Sequence, residues 1–409
     1  MAIAMTTGYS AQTEGALLCI EAASDWALTC VDQLPVSDSH VLIDYGAADG
    51  GTAVGLWNQI LDRLHANQPQ AHLTLIGNDL PSNDNVALAE NLALQIPREP
   101  KPTVLVSARS FYEPSVGPNT ISFGFSATAM HWLSQSPGPL DTHTHVLASA
   151  DADALQRFTS QALKDWTYVL ELRSRELIVG GRLLTVNLSR DHEGRYLGHN
   201  GGETRNVHDQ LHQIWRGLAD EGVINEEQYR SGTVLNFYKS PDEFMAPLKD
   251  ESSAPYRNGL RLVSERTVYV KCPYRRRWNE DGDTTTFAAG LMATIRSWSR
   301  HSFASAAGDA IRIATTPTSI ISKSAVYAAV SAVRERPVSS RPWHQGCLKP
   351  WSHVRSMCDV ADAGTAVMNR SILKCGPPAM HMFSRTSRHS CPGGAVFLMS
   401  STNDSRQKA

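Results

Sequence analysis

The chain has 409 residues, of which 42% are hydrophobic and 19% charged, and its formal net charge is −2. This composition is ordinary for a globular protein, and the length allows about two or three domains. No apolar run approaches the roughly 18 residues that a membrane span needs, and residues 1–9 lack a secretory signal, so we expect a cytoplasmic protein.

The segment from His40 to Thr52 predicts a ligand-binding turn. Its first half, 40–44, has the composition of a strand buried on both faces of a parallel sheet. Glycines follow at 46, 50 and 51, and then a helix over 53–65 with apolar residues at helical spacing. A strand, a glycine turn and a helix N-terminus direct backbone N–H groups to one point, which suits a nucleotide-like ligand.

The spacing of these glycines distinguishes between ligands. It is G-x-x-x-G-G and not the G-x-G-x-x-G of dinucleotide-binding proteins. A cofactor without a pyrophosphate fits this variant, and S-adenosylmethionine is the commonest of those. The alternative interpretation is that the glycines only shape the turn.

Strand and helix patterns then alternate along the chain. Strands are predicted over 71–76, 104–107, 121–125 and 182–188, and a long helix over 151–179. Repeated strand–helix units predict an α/β fold with a doubly wound parallel sheet and right-handed crossovers. The ligand of such a sheet lies outside the carboxyl ends of its strands.

Asp79 lies at the tip of the second predicted strand, 35 residues after Asp44. An acid at this place can bind the two hydroxyl groups of a ribose. The alternative is an Asx turn in which Asp84 caps the next helix, and both interpretations can hold together.

From residue 191 the pattern changes to short helices, the clearest at 210–218 and 242–248. A strand over 261–270 and an amphipathic helix over 284–298 follow. We therefore expect an α/β core at 1–190 and 259–303, and a mainly helical cap at 191–258 inserted over the ligand edge.

Two segments at the predicted ligand edge carry candidate binding residues. Ser110-Phe111-Tyr112 offers an aromatic ring to stack on adenine, and hydroxyl groups for its edge. In Ser126–Ser134, His131 and Trp132 offer N–H donors to an anionic substrate. Equally, Trp132 can be a core residue and His131 its polar neighbour.

Five motifs occur together in a characteristic order. They are Tyr9, Asp44–Gly50, Asn78–Asp84, Ser110–Tyr112 and Ser126–Ser134. In this order and spacing the chain resembles the SABATH carboxyl methyltransferases over residues 8–303. The resemblance implies a class I methyltransferase-like sheet, S-adenosylmethionine as cofactor, a small carboxylic acid as substrate and a methyl ester as product. It also suggests a homodimer.

The resemblance implies roles for individual residues. Cofactor contacts are expected at Tyr9, Thr13, Asp44, Gly46, Ala47, Asp79, Leu80, Ser110, Phe111, Ser126 and Thr128. Trp132 is expected to hold the substrate carboxylate, with His131 beside it, and these two form the expected catalytic pair. Ala16 stands where the family often has a second carboxylate-binding residue, a glutamine, so Gln12 is the candidate for that role if the register shifts by one helical turn.

Other functions are less well supported. A nicotinamide-dependent oxidoreductase is disfavoured by the glycine spacing, and a non-catalytic cofactor-binding protein remains an alternative. Histidine groups at 143 and 145 and at 208 and 212 could bind a metal, but neither matches a ligand set of the family. We expect no metal, no nucleic-acid partner and no membrane partner.

The last quarter of the chain differs from the rest. Residues 309–409 hold 13 Lys and Arg against 5 Asp and Glu, whereas the preceding residues hold 25 against 35. Four of the seven cysteines lie there, at spacings that match no zinc module. We expect 304–409 to be an irregular tail and the family's final antiparallel strand to be missing. A disordered extension, a basic docking tail and translation through a frame shift or unspliced intron all fit, and we favour the last.

Overall fold

A computed structural model describes residues 5–94, 100–197, 206–308 and 394–403. These residues form a seven-stranded sheet with helices on both faces. Its strands are β1 (Ser39–Tyr45), β2 (His72–Asp79), β3 (Thr103–Ala108), β4 (Ile121–Ala127), β5 (Leu177–Ser189), β6 (Leu260–Val270) and β7 (Gly394–Asn403). Their order across the sheet is β3-β2-β1-β4-β5-β7-β6.

The helices follow the predicted pattern closely. They are α1 (Tyr9–Gln12), α2 (Glu14–Glu21), α3 (Ser24–Asp32), α4 (Val54–Asn67), α5 (Asn85–Leu94), α6 (Ala152–Glu176), α7 (Val207–Asp220), α8 (Glu226–Ser231), α9 (Pro241–Lys249), α10 (Ala254–Arg257), α11 (Pro273–Asp281) and α12 (Thr284–Ala307). The helix predicted over 151–179 ends at Glu176, because Ile178 and Val179 already belong to β5. No helix of the described ranges is long and apolar enough to cross a membrane.

The parallel half of the sheet confirms the doubly wound prediction. β1 is paired in parallel with β2 and β4, β2 with β3, and β4 with β5. Successive residues of β1 point to opposite faces, as in any strand. Leu42 packs in the same core as Trp57, whereas Ile43 packs on the opposite face with Trp166. The run is apolar because both faces of β1 pack against apolar side chains, as the sequence predicted.

The expectation of a missing final strand is wrong. Gly394–Asn403 forms β7, which lies antiparallel between β5 and β6. Leu398 and Met399 are fully buried on opposite faces, and Ser400 and Ser401 are also buried. The expected tail is also helical at its start, since α12 continues to Ala307. Residues 309–393 and 404–409, the rest of that tail, lie outside the described residues.

The cap helices share a small core of their own. Leu211 and Trp215 of α7, Tyr229 of α8, and Ile295 and Phe303 of α12 are buried in one apolar cluster. Helix α12 thus packs with the cap, although the sequence placed it with the α/β core. We infer that the cap includes α11 and α12 in addition to residues 206–258.

Candidate active site

A cleft opens at the carboxyl ends of the parallel strands. Its empty volume, including the part open to solvent, is about 920 Å³. Ten residues predicted to bind ligand line it: Tyr9, Asp44, Gly46, Ala47, Asp79, Leu80, Ser110, Phe111, Thr128 and Trp132. Parallel strands explain this convergence, because they all end at one edge of the sheet.

The glycine turn forms the floor of the cleft after β1. Gly46 has a φ of 75°, and a Cβ there would lie 2.5 Å from the Cβ of Ala129. Only glycine therefore fits without displacing the segment after β4. The turn is held by N–H groups of Gly46 and Ala47, which donate to the Asn78 carbonyl at 2.8 and 3.1 Å. Its shape is set before any ligand binds.

Asp79 joins the end of β2 to this turn. Its carboxylate accepts hydrogen bonds from the N–H groups of Ala48 at 2.6 Å and Leu80 at 2.7 Å. Burial raises the pKa of Asp79, and the two backbone donors oppose that rise. Asp84 accepts from the Ala87 N–H at 3.1 Å and so caps α5, as the Asx-turn interpretation predicted. The helix-capping role thus falls on Asp84, and the predicted ribose-binding role of Asp79 stays a prediction.

Asp44 is the second acid of the cleft. Trp57 Nε1 donates to its carboxylate at 2.9 Å. Burial raises its pKa to about 7, the Trp57 bond opposes the rise, and the nearby Asp79 charge adds to it. The cleft therefore places two acidic side chains, Asp44 and Asp79, where strands β1 and β2 end.

The N-terminal segment covers one side of the cleft. The Ser10 N–H and hydroxyl both donate to the Asp49 carboxylate at 3.0 Å, which docks α1 on the glycine turn. The buried Tyr9 hydroxyl lies beside the hydroxyls of Thr13 and Thr128, and burial raises its pKa to about 12. This tyrosine is therefore a neutral hydrogen-bonding group over the whole physiological range.

A family model for S-adenosylmethionine-dependent carboxyl methyltransferases matches residues 12–311. The chain belongs to this family. It is 26% identical over 238 residues to anthranilate O-methyltransferase 3 of Zea mays, covering 51% of this chain and 61% of that protein. It is 26% identical over 229 residues to salicylate carboxymethyltransferase of Clarkia breweri, covering 53% and 62%. The chain thus spans about three fifths of the length of these relatives.

A solved structure shares the fold of this family member. Loganic acid methyltransferase with SAH superposes with a TM-score of 0.65 at 14% identity, covering 99% of this chain and 100% of that one. The family membership confirms the resemblance found in the motifs and makes S-adenosylmethionine the cofactor. The close backbone approach at Gly46 and the acid at the end of β2 suit such a nucleoside-containing group.

Trp132 lies on the part of the cleft where the sequence predicts the substrate carboxylate. It lines the cleft and is half-buried, and it forms an antiparallel bridge with Asn236 of the cap. The Tyr112 hydroxyl donates to the Trp132 carbonyl at 2.6 Å. The backbone at Trp132 is thus held by the core on one side and the cap on the other.

His131 lies behind Trp132 and does not line the cleft. Its ring lies 5.5 Å from that of Trp132 and 5.7 Å from that of Tyr238, measured between centroids. Burial lowers its pKa to about 3, and the charge of Lys239 and His145 adds to this effect. His131 is therefore a neutral imidazole at pH 7, and its Nδ1 has no hydrogen-bonding partner among the described residues.

Three further predicted residues also lie outside the cleft lining. The Thr13 hydroxyl donates to the Tyr9 carbonyl at 2.9 Å, and the Ser126 hydroxyl to the Tyr45 carbonyl at 2.8 Å. The Gln12 amide donates to the carbonyls of Thr7 and Gly8. These side chains support the backbone around the cleft and do not face it.

The sequence left part of the lining unassigned. These residues are Met5, Ile20, Ala48, Thr52, Ala53, Phe125, Ala127, Ala129, Leu133 and Leu235. Most of them neighbour a predicted residue within the same motif, and that proximity could have indicated them. Leu235 is different, because it comes from the cap, and only the tertiary structure brings it to the core.

The histidines considered as metal ligands pack as stacked rings. His145 and His208 lie 3.8 Å apart between centroids, and His143 and His212 lie 4.2 Å apart. His145 Nε2 bonds Asn236 at 2.8 Å, and His143 Nε2 lies 3.2 Å from the Asp209 carboxylate. In the described ranges no group of three or more His, Cys, Asp or Glu converges as a metal site.

Proposed function

We propose that this protein is an S-adenosylmethionine-dependent O-methyltransferase that forms the methyl ester of a small carboxylic acid. One observation carries the proposal: a single cleft joins the elements expected to bind cofactor, Gly46 and Asp79, to the anion-binding candidate Trp132. Relatives named as anthranilate and salicylate methyltransferases support the same chemistry.

The reaction requires little of the protein's acid–base groups. A carboxylate is ionised at pH 7 and needs no general base. When bound, S-adenosylmethionine supplies an activated methyl group. The residues of the cleft then contribute alignment and exclusion of water, effects that reach about 7–11 kcal/mol in well-oriented systems.

Three of the lining residues have a proposed task in that alignment. Asp79 accepts from the ribose hydroxyls with the carboxylate positions that Ala48 and Leu80 leave open. Phe111 offers its ring to adenine. Trp132 donates its indole N–H to the substrate carboxylate, and His131 supports Trp132 from behind. The family's second donor to the carboxylate has no counterpart at Gln12 in this arrangement, because its amide is used by the N-terminal backbone.

A methyl-transfer screen tests the proposal. The full chain is incubated with labelled S-adenosylmethionine and a panel of salicylate, benzoate, anthranilate and jasmonate. A labelled methyl ester is expected for at least one acid, and none for the matching primary amides. Gly46→Val serves as the inactive control, since its side chain would meet Ala129. Methylation of the amides would refute the proposal. A protein that binds SAH but forms no ester from any acid of the panel would refute it as well.

A thermal-shift comparison separates the alternative functions. SAH is expected to raise the melting temperature and NADH to leave it unchanged, because the turn lacks the dinucleotide spacing. Stabilisation by NADH alone would favour an oxidoreductase. Binding of SAH without turnover of any acid would favour a non-catalytic cofactor-binding protein.

We further propose that the protein is cytoplasmic, as the sequence suggests, and a homodimer, as the family resemblance suggests.

A further inference from the structure

Lys239 is a buried cation without an ion-pair partner among the described residues. It lies between α8 and α9, and only 1% of its surface is exposed. Its ammonium group contacts the Met130 carbonyl at 3.5 Å and lies 5.8 and 5.3 Å from the ring centroids of Trp166 and Phe244. No ion pair of the described residues includes it. Burial of a charge lowers stability unless the charge is paired and hydrogen-bonded.

The carboxylates near Lys239 are engaged elsewhere. Asp165 of α6 accepts from the Ser134 N–H and hydroxyl at 2.9 and 2.7 Å. Glu243 of α9 is paired with Arg190 at 2.7 Å. Both lie near enough to favour the charged lysine, but neither neutralises it directly. Because the surroundings are buried, the interaction of the ammonium group with other charges is screened only weakly.

Those surroundings include the substrate wall, residues Met130–Trp132, of which Trp132 lines the cleft. Met130, which Lys239 contacts, precedes Trp132 by two residues, and the charge of Lys239 acts on the intervening His131. The wall is pinned to the Lys239 segment, since the Phe237 N–H donates to the His131 carbonyl at 2.9 Å. The Lys239 carbonyl accepts from the Arg190 N–H at 3.0 Å, just past the end of β5. Lys239 thus stands at the ligand edge of the sheet, behind the substrate wall.

The cleft itself needs such a charge. The acidic side chains among its lining residues are Asp44 and Asp79, whose ionised forms repel a carboxylate, and none of the lining residues is basic. We propose that Lys239 is a positioning residue whose ammonium group, behind the Met130–Trp132 wall, attracts the substrate carboxylate to Trp132. This inference rests on the proposed function, because it requires an anionic substrate.

Three variants test the inference. Lys239→Met removes the charge at similar length, Lys239→Arg keeps it, and Lys249→Met removes an exposed lysine of α9. The substrate is the acid of the panel that the wild-type protein methylates fastest, and its primary amide serves as the neutral competitor. Energetic coupling between two sites of one protein is typically about 5- to 150-fold. Lys239→Met is therefore expected to raise the KM of the acid at least about fivefold. The inhibition constant of the amide and the Kd of SAH should change little, and the other two variants should resemble wild type.

A pH profile gives a second readout. Burial lowers the pKa of Lys239 to about 8, against the opposing effect of Asp165 and Glu243. The attraction is present while Lys239 is protonated, so wild-type kcat/KM should fall above pH 8. His131, with a pKa of about 3, carries no charge in this range. The fall should be absent in Lys239→Met and shifted upward in Lys239→Arg, whose guanidinium stays protonated.

The outcomes separate this inference from the function on which it rests. If no acid is methylated by the wild type, the proposed function fails and this inference with it. If an acid is methylated but Lys239→Met leaves its KM unchanged, only the role of Lys239 is refuted. Equal losses for acid and amide would show a structural role and overturn the inference as well. If Lys239→Met does not fold, the pH profiles of wild type and Lys239→Arg decide.

Discussion

Substitution of Asp79 by alanine tests how the cleft holds its cofactor. The carboxylate has two oxygens with about four acceptor positions in all. The N–H groups of Ala48 and Leu80 occupy two of them. The remaining positions face a cleft that Asp79 lines, where a ribose offers two hydroxyl donors.

The expected loss follows from this geometry. A hydrogen bond to a charged group contributes about 1.5–3 kcal/mol, which corresponds to about 10- to 150-fold in Kd. Asp79→Ala should weaken SAH binding within this range. It should also lower the melting temperature, because the N–H groups of Ala48 and Leu80 lose their acceptor.

Calorimetric titration with SAH, at a temperature where each variant is folded, measures the loss. Asp84→Ala is the matched control, since it removes a helix cap outside the cleft and should cost about 1 kcal/mol of stability without changing Kd. An unchanged Kd for Asp79→Ala, or an equal change for Asp84→Ala, would refute the ribose-binding role.

Three further predictions concern other parts of the molecule. Trp132→Ala should raise KM for the acid and leave the Kd of SAH nearly unchanged, because Trp132 lines the cleft and is proposed to bind the substrate. Steady-state kinetics measure the first quantity and calorimetric titration the second. Equal losses of affinity for acid and SAH, with a lower melting temperature, would favour a core role. Burial lowers the pKa of His145 to about 3, against about 6.5 in an unfolded chain, so the stability it contributes is present above pH 6.5 and is lost as the pH falls below it. Urea unfolding at pH 7.5 and 5.5 should show about 1.4 kcal/mol less acid destabilisation in His145→Phe than in wild type, and equal losses would contradict this. Leu398→Ala should lower the free energy of unfolding by about 2–5 kcal/mol, because Leu398 is fully buried in the sheet core; a change below about 0.5 kcal/mol in chemical denaturation would show that β7 contributes little.

The sequence by itself determined the parallel half of the sheet and the cofactor turn. Both are visible in short segments of the chain. The run 41–43 is apolar because both faces of β1 are covered, and Gly46 is a glycine because its φ is 75° and Ala129 lies against it. Motif spacing then placed Asp79 and Phe111 at the same edge, since parallel strands end together.

Only the tertiary structure decided the last strand. β7 is separated from β6 by more than 120 residues, and its second half is polar. Ser400 and Ser401 are buried there because β5 and β6 pair on both sides and satisfy the backbone. The Ser400 hydroxyl lies 3.2 Å from the Cys30 sulfur of α3. Composition cannot reveal such a strand, since its stability comes from partners distant in sequence.

The environment of the substrate wall was likewise a matter of tertiary structure. His131 and Trp132 were visible as a motif, but their burial depends on the cap segment that pairs with them through Asn236 and Phe237. The same pairing places Lys239 behind the wall. A lysine in a loop sequence is ordinarily exposed. Its charge gains the proposed role in binding only because the fold removes it from water close to Trp132.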